Sequence, residues 1–346
     1  MYWFDLDNSP HVPLFRPVFD ELKSNGMEYI VTIREFAQTR QLCELWNIDY
    51  TLIGRHAGKN KILKVINLFT RSSKLKKQIK NKNISLAISH GSRTQLVAAN
   101  GLKIKSVLML DYEYTENRIF NRYADYLLMP TLIPDERLKS AGIKLEKVIR
   151  YNGFKEELYI PEFVPEAGFR GTIGIPENKV LVVIRPPGML SNYHNEEGES
   201  LFVESVKYFS SFPDCICYIV SRTTEDKTLL KNLNIKSDNI KFNKSAVDGL
   251  QLLNSADIVL SGGGTMNRES ALLGTETYSI FRGRKPYLDE YLNQIGQLKF
   301  ISSVADIRNI AVEKKSKKTN YQINRNLKKE ITNLFFNIDK NLTKNN

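Results

Sequence analysis

The sequence predicts an α/β protein with two Rossmann-like domains, each built on a parallel sheet and facing a cleft. Short apolar runs typical of buried strands alternate with segments of helical periodicity along most of the chain. The alternation stops at Gly153–Lys179, which contains Pro161, Pro165 and Pro176, and then starts again. At 346 residues the chain is also long for one hydrophobic core.

Domain boundaries follow from this interruption. We predict a first domain over 1–152, a second over 153–318, and a C-terminal helix and tail over 319–346 that crosses back to the first domain.

The first half contains short apolar runs that we predict as strands: Tyr2–Leu6, Glu28–Thr32, Tyr50–Ile53, Leu86–Ser89, Ser106–Leu110, Tyr126–Met129 and Val148–Tyr151. Helices are predicted between them where apolar residues recur at helical spacing: Leu14–Leu22, Phe36–Trp46, Ser72–Asn81, Arg93–Leu102, Tyr114–Tyr123 and Asp135–Ala141. Ligands of such sheets gather beyond the carboxyl ends of the strands. We therefore expect Asp7–His11, His90–Ser92 and Asp111–Glu113 to face one crevice.

The second half repeats the pattern. The predicted strands are Val180–Ile184, Cys215–Val220, Ile240–Phe242, Asp257–Leu260, Thr277–Phe281 and Lys299–Ile301. The predicted helices are Ser200–Ser210, Leu229–Leu233, Val247–Asn254, Met266–Leu273, Tyr287–Leu292 and the terminal Tyr321–Leu342.

A glycine turn, Gly262–Gly264, joins one of these strands to the next helix. Thr265 is the predicted N-cap, and Glu269 lies one turn further on, as in a capping box. A strand, a glycine turn and a helix start form an anion site, because amides point outward and the helix dipole favours negative charge. The run has the spacing of neither a dinucleotide fingerprint nor a P-loop. The alternative is a tight turn without ligand, although packing alone rarely demands three glycines.

Composition is that of an ordinary soluble globular protein, with 42% hydrophobic and 25% charged residues. The sequence has no apolar run long enough for a membrane span, and its first residues do not resemble a signal peptide. We therefore expect a cytoplasmic protein. Cys43, Cys215 and Cys217 are expected as buried thiols.

The formal charge of +12 is unevenly distributed, since Tyr50–Leu110 contains no Asp or Glu. It holds thirteen cations: Arg55, Lys59, Lys61, Lys64, Arg71, Lys74, Lys76, Lys77, Lys80, Lys82, Arg93, Lys103 and Lys105. Such a region suits an anionic membrane, nucleic acid or a phosphorylated substrate, or is a solvated lysine-rich face. We favour peripheral contact with the inner face of an anionic membrane through the basic region 55–82, with Leu68 and Phe69 dipping in. The alternative is a surface helix packed on the sheet.

Three segments carry a family resemblance: NSPHVPLFRPVFDEL (Asn8–Leu22), GFKEELYIPEF (Gly153–Phe163) and LSGGGTMNRESALLGT (Leu260–Thr275). They resemble the two-domain GT-B superfamily of nucleotide-sugar enzymes. The similarity is closest to the lipid-I N-acetylglucosaminyltransferase of peptidoglycan synthesis, to UDP-N-acetylglucosamine 2-epimerases, and to a related uncharacterised family. The first segment lacks the glycines of the transferase loop.

The resemblance implies a nucleotide-sugar site in the second domain. Its expected residues are Gly262, Gly263, Gly264, Thr265, Arg268, Glu269, Arg185, Arg222, Lys244 and Ser245. The glycines and Thr265 would bind the diphosphate, Glu269 the ribose hydroxyls, and the segment Phe242–Val247 the nucleobase. Arg268, Arg185 and Arg222 would pair with phosphate oxygens, or are structural or exposed cations.

His11 is the leading candidate for chemistry, because an imidazole titrates near the working pH and an acceptor hydroxyl must lose its proton. The alternative is a loop histidine that orients backbone. Asp7 is expected as a base or as the group that orients His11. Asp111 and Glu113 fall where the resemblance places acid–base carboxylates in the epimerases and an acceptor-binding cluster in the transferase.

These residues lead us to expect an inverting glycosyltransferase that moves a sugar, an N-acetylhexosamine, from a UDP-activated donor to a glycan or lipid-linked acceptor. The alternative enzyme is a UDP-N-acetylglucosamine 2-epimerase, hydrolysing or non-hydrolysing. The epimerases carry a histidine–arginine motif where this chain reads IRPPGMLSNYH, with His194 several residues late. A third class is a catalytically silent binder.

No cofactor beyond the UDP-sugar substrate is expected, and no metal, since Asp5 of the Asp5–Asp7 pair lies within a strand. Nucleic acid is not expected as a partner, because the sequence has no RNA-module signature.

Overall fold

The computed structural model describes residues 1–55, 58, 61–187, 196–220, 238–243 and 247–344. They form two compact units. The first unit is Met1–Pro161 with Asn324–Asn346, and the second is Glu162–Ile323. Each unit is a parallel sheet with helices, so the predicted α/β class is confirmed.

The first unit has a seven-stranded parallel sheet of order β3-β2-β1-β4-β5-β6-β7. Its strands are β1 (Tyr2–Leu6), β2 (Tyr29–Glu35), β3 (Thr51–Arg55), β4 (Leu86–His90), β5 (Lys105–Met109), β6 (Tyr126–Pro130) and β7 (Val148–Tyr151). Its helices up to the end of the sheet are α1 (His11–Ser24), α2 (Thr39–Leu45), α3 (Lys61–Ile79), α4 (Arg93–Gly101), α5 (Arg118–Tyr123) and α6 (Asp135–Ser140). Short 3-10 turns occupy Leu145–Lys147, Lys155–Leu158 and Ile160–Glu162.

The second unit has a six-stranded parallel sheet of order β10-β9-β8-β11-β12-β13. Its strands are β8 (Val180–Arg185), β9 (Cys215–Ile219), β10 (Ile240–Phe242), β11 (Ile258–Ser261), β12 (Glu276–Ser279) and β13 (Lys299–Phe300). Its helices are α7 (Phe169–Thr172), α8 (Glu196–Ser210), α9 (Gly249–Ser255), α10 (Gly264–Leu272), α11 (Tyr287–Gln294) and α12 (Val304–Arg308). The predicted helix Leu229–Leu233 lies outside the described residues.

The last helix, α13 (Leu327–Lys344), belongs to the first unit. Phe336 lies with its ring centroid 6.4 Å from that of Tyr2 in β1. The division between units falls after Pro161, later than the predicted boundary at 152. The reason is that the segment after β7 packs with the first unit, where Glu157 accepts a hydrogen bond from the amide of Asn324.

The first strand, β1, is buried along its whole length, because helices cover both faces of the sheet. Phe4 packs between two residues of α1, with ring centroids 5.3 Å from Phe15 and 4.9 Å from Phe19. Helix α1 begins at His11, not at Leu14 as predicted. Pro13 does not delay the helix, because a residue in the first turn needs no amide hydrogen for the helix ladder.

Strand order reverses between β1 and β4 in the first sheet, and between β8 and β11 in the second. At such a reversal the connections leave in opposite directions, and a crevice opens beyond the carboxyl ends of the two strands. Each unit therefore has one favoured place for a ligand.

A buried ion pair ties α3 to β1. Asp5 and Arg71 are fully buried and form two hydrogen bonds of 2.8 Å between guanidinium and carboxylate. The carboxylate also accepts hydrogen bonds of 2.6 Å from Thr32 and Ser92. Arg71 Nε donates to the carbonyl of Ile53 at 2.8 Å. Every oxygen and nitrogen of the pair is thus engaged, as burial of two charges requires.

Replacing Arg71 by Met should lower the free energy of unfolding by about 3–5 kcal/mol, because Asp5 would remain buried without its counter-charge. Denaturant unfolding followed by circular dichroism measures this change. The matched control is the double variant Asp5→Asn/Arg71→Met, which removes both charges and should recover much of the loss. A single variant as stable as the unaltered protein would contradict this account of the pair.

Candidate functional site

In the first unit, the crevice at the β1/β4 reversal begins with Asp7 and His11. Asp7 is the residue after β1, and His11 opens α1. Nδ1 of His11 lies 3.3 Å from a carboxylate oxygen of Asp7, at an angle outside that of a hydrogen bond. Arg34 holds the same residue, donating to the carbonyl of Asp7 at 2.7 and 3.1 Å, with Nη2 3.6 Å from the carboxylate. His11, which was predicted to lie in a loop, is therefore the first residue of α1, with its ring beside the Asp7 carboxylate.

Burial and neighbouring charges set the protonation of this pair. Burial alone would raise the pKa of Asp7, but the positive charge of Arg34, followed by that of His11, outweighs burial and lowers it. Burial, partly offset by the Asp7 charge, lowers the pKa of His11 to about 3. At neutral pH the pair is a carboxylate beside a neutral imidazole, and the lowered pKa makes this imidazole a weaker base than an ordinary histidine side chain.

A second group of polar side chains meets this pair from β4 and β5. His90, the last residue of β4, places Nε2 3.0 Å from a carboxylate oxygen of Asp111. The other oxygen of Asp111 accepts a hydrogen bond from the ammonium of Lys155, which also donates to Glu156 at 2.9 Å. The rings of His11 and His90 have centroids 5.0 Å apart. These residues form one cluster, which we call the acid–base cluster: Asp7, His11, His90, Asp111, Lys155 and Glu156.

Burial distinguishes this cluster from a surface ion-pair network. Lys155 is 2% exposed and Glu156 is fully buried. Charged groups at such depth are rare and costly unless paired. They concentrate where chemistry or ligand binding requires them.

Glu113, the other predicted carboxylate, is fully buried and pairs with a different cation. Its carboxylate lies 3.8 Å from Nε of Arg137, whose Nη1 donates to the hydroxyl of Tyr114 at 2.6 Å. The backbone carbonyl of Glu113 accepts a hydrogen bond of 2.9 Å from Asn117.

Three cluster residues were absent from the candidates chosen from the sequence. The sequence predicts His90 in the crevice without a role, and Lys155 and Glu156 in the connection between domains. The available signal was charge in an apolar setting, because the charged run 155–157 stands between Phe154 and Leu158.

In the second unit, the reversal lies between Arg185, which ends β8, and Ser261, which ends β11. These two residues are register partners in the sheet. Helix α10 begins at Gly264, and its N-cap is Gly263 in extended conformation, with no side-chain cap. The prediction of Thr265 as N-cap of a capping box is therefore wrong. The chain turns earlier because the hydroxyl of Ser261 accepts a hydrogen bond of 3.1 Å from the amide of Gly263.

The glycines of this turn serve different purposes. A Cβ on Gly262 would lie 2.6 Å from Cα of Pro187, so close packing of backbone on backbone requires glycine there. A Cβ on Gly264 would lie 2.8 Å from the guanidinium of Arg268. A Cβ on Gly263 would only reach ordinary contact with Arg185, 3.5 Å away. Backbone packing thus accounts for Gly262, while Gly263 and Gly264 each lie beside an arginine guanidinium.

Arg268 is a buried cation, 3% exposed, with Nη1 3.1 Å from a carboxylate oxygen of Asp289. Its guanidinium lies beside Gly264 at the start of α10, where Asp289 balances its charge. Thr265 and Glu269 are half-buried and one helical turn apart. Arg222, Lys244 and Ser245 lie outside the described residues.

Over residues 1–343 the chain matches the family described as "Protein of unknown function (DUF354)". The protein belongs to this family. A relative, "Uncharacterized protein MJ0665" of Methanocaldococcus jannaschii, is 27% identical over 316 residues, which are 89% of each chain.

Several solved structures share the fold of the DUF354 protein. The UDP-GlcNAc 2-epimerase of Neisseria meningitidis bound to UDP-GlcNAc has a TM-score of 0.76 at 16% identity, covering 97% of this chain and 100% of that one. MnaA of S. aureus with UDP has a TM-score of 0.75 at 13% identity, covering 96% and 95%. The UDP-GlcNAc 2-epimerase of M. jannaschii with UDP-GlcNAc and UDP has a TM-score of 0.72 at 14% identity, covering 97% and 99%. These similarities confirm the GT-B-like fold.

Within the described ranges, helices long and apolar enough to cross a bilayer are absent.

The depressed pKa of His11 predicts a pH effect on stability. An unfolded histidine binds a proton below about pH 6.5, whereas folded His11 does so only near pH 3. Protonation therefore favours the unfolded state, and the free energy of unfolding should fall as the pH drops from about 6.5 towards 4.5. The variant His11→Gln should show a smaller fall over that range, measured by denaturant unfolding at each pH. Equal slopes in the two proteins would mean that His11 titrates normally.

Proposed function

We propose that this protein transfers an N-acetylhexosaminyl group, with inversion, from a UDP-activated donor to a glycan or lipid-linked acceptor. The observation that carries the proposal is the neutral imidazole of His11 held beside Asp7 at the β1/β4 reversal. An inverting transfer needs one base, because the nucleotide diphosphate leaves as a stabilised anion.

In this proposal the donor diphosphate binds at the start of α10. An α-helix has no internal acceptors for its first amides, and its dipole places positive potential there. The Arg185 guanidinium lies beside Gly263, and buried Arg268 lies beneath Gly264. A diphosphate would receive main-chain hydrogen bonds and the positive charge of Arg185, which help to neutralise the leaving group, whereas Arg268 is already paired with Asp289. Glu269, one turn on, is assigned to the ribose hydroxyls. Solved proteins of the same GT-B-like fold were crystallised with UDP or UDP-GlcNAc, which supports the proposal that this protein binds such a nucleotide.

In the transfer step His11 takes the proton of the acceptor hydroxyl. With the proton of the neutral ring on Nδ1, the nitrogen 3.3 Å from the Asp7 carboxylate, the lone pair of Nε2 is the acceptor. The acceptor oxygen forms a bond to the anomeric carbon as the bond from that carbon to the UDP oxygen breaks. The electron pair leaves with UDP, the proton remains on His11, and Asp7 stabilises the imidazolium.

The rest of the acid–base cluster favours a second candidate, epimerisation at C2 of a UDP-N-acetylhexosamine. That reaction removes the C2 proton and returns one to the opposite face, which needs more than one acid–base group. Asp111, Lys155 and Glu156 are joined to His90 in a buried chain that a single-base transfer does not require. The UDP-GlcNAc 2-epimerase of Neisseria meningitidis, which shares the fold, supports the same candidate.

One experiment separates the two candidates. The protein is incubated with UDP-N-acetylglucosamine in deuterium oxide, with and without a glycan or lipid-linked acceptor, and the sugar is examined by mass spectrometry and NMR. Transfer predicts UDP release that depends on acceptor, with no deuterium at C2. Deuterium at C2 without acceptor would establish epimerisation and overturn the transfer.

Replacing Arg185 by Ala should weaken UDP binding by about tenfold or more, because a charge-assisted contact to phosphate is lost. Isothermal titration calorimetry with UDP measures the effect. Arg308→Ala, at an exposed position in α12 of the same unit, is the matched control and should bind UDP normally. Equal affinity of the Arg185 variant would place the diphosphate elsewhere.

Replacing His11 by Gln should preserve UDP affinity and lower turnover by about 10²–10⁴-fold, because the general base is removed. Calorimetry measures the first quantity and UDP release the second. Unaltered turnover would remove His11 from the reaction.

A further inference from the structure

The first half of α3 carries an unusual concentration of exposed apolar side chains. Across the ranges that the structure describes, large apolar side chains are exposed at nine positions, and five of these lie between Ile62 and Phe69. Ile62 is 70% exposed and Phe69 is 61% exposed. Single exposed apolar residues are ordinary, but a contiguous group marks an interaction surface.

Four of these side chains share one face of the helix. Ile62, Val65, Ile66 and Phe69 follow the spacing i, i+3, i+4, i+7, which in a surface helix is the face that packs on the core. Here that stripe is exposed over the first half of the helix.

The second half of α3 is anchored to the first unit. Leu75 and Ile79 belong to a buried cluster that includes Trp3 of β1. Arg71 binds Asp5, as described above. The exposed stripe is therefore carried by a helix whose other half is fixed.

Exposed lysine side chains extend this apolar surface towards the C-terminal end of α3. Along α3 and just beyond it, Lys74, Lys77, Lys80 and Lys82 are exposed, and the chain from Tyr50 to Leu110 has no acidic residue. On the helical repeat, Lys77 and Lys80 lie on the same side as the apolar stripe. The surface thus combines apolar side chains with positive charge that no acidic residue of this segment offsets.

The charge decides between possible occupants. In a symmetric dimer each copy would present the same patch, so the lysines would face lysines and repel. An anionic bilayer provides both partners that this surface needs, hydrocarbon for the stripe and negative headgroups for the lysines.

We propose that the first half of α3, with the lysines that follow it, docks on the surface of an anionic phospholipid bilayer. Ile62, Val65, Ile66 and Phe69 enter the boundary between headgroups and hydrocarbon, while Lys77 and Lys80 bind the lipid phosphates. This inference does not depend on the sugar chemistry. It would bring the first unit to the surface at which a lipid-linked acceptor is found.

Vesicle flotation tests the proposal with the full chain and no substrate. The vesicles contain equal parts of phosphatidylglycerol and phosphatidylcholine, or phosphatidylcholine alone. The unaltered protein should float with the mixed vesicles, less so as salt is raised, and weakly with the neutral ones. The double variant Ile66→Ser/Phe69→Ser should lose about tenfold or more of this binding, because two large apolar side chains no longer enter the bilayer.

Two controls keep the result specific. Val164→Ser changes a side chain that is 76% exposed in the second unit and should bind vesicles normally. Thermal unfolding should show the same Tm for every variant, since the altered side chains are exposed.

Three results would overturn the proposal. One is the absence of binding to the mixed vesicles, and another is equal binding by the double variant. The third is a protein dimer in sedimentation analysis that Ile66→Ser/Phe69→Ser converts to monomers, which would make the stripe a contact between copies. None of these results bears on UDP turnover, so they leave the proposed function to its own tests.

Discussion

Parallel strand direction is the constraint from which the arrangement of this protein follows. Every described strand pairing is parallel, so within each unit the carboxyl ends lie along one edge of the sheet. The order reverses once in each sheet, and residues distant in sequence meet there. His11 and His90 meet in the first unit, and Arg185 and Ser261 in the second. Neither pair would form with one strand inverted.

Much of the fold could be predicted from the sequence, because buried parallel strands appear as short apolar runs. The strand Tyr2–Leu6 has the predicted bounds. The first residues of the helices were harder to predict. Pro10 and Pro13 suggested a loop, yet a proline is tolerated in a first turn, and α1 begins at His11. At α3 the predicted helix, Ser72–Asn81, covers only the second part of the observed one, Lys61–Ile79, because lysines interrupt the apolar pattern of the first part.

The sequence predicts the candidate site only where its residues lie close together along the chain. His11 and Asp7 stand four residues apart, on a loop and first turn that are evident in the sequence. Lys155 was missed because its partner, Asp111, is forty-four residues away, and only the folded sheet, in which β6 lies between β5 and β7, brings the two side chains together. The packing that requires Gly262 was hidden for the same reason, since Pro187 comes from a different strand connection. Residues 188–195 and 221–237, which include Arg222, are outside the described part of the chain.

The account rests on a nucleotide diphosphate bound by main-chain amides at the start of α10. The most direct measurement is a crystal structure of the protein with UDP. We predict a phosphate oxygen within about 3 Å of the amide nitrogen of Gly264, with the Arg185 side chain turned to the same group. A nucleotide bound elsewhere, with that helix start occupied by protein, would contradict it.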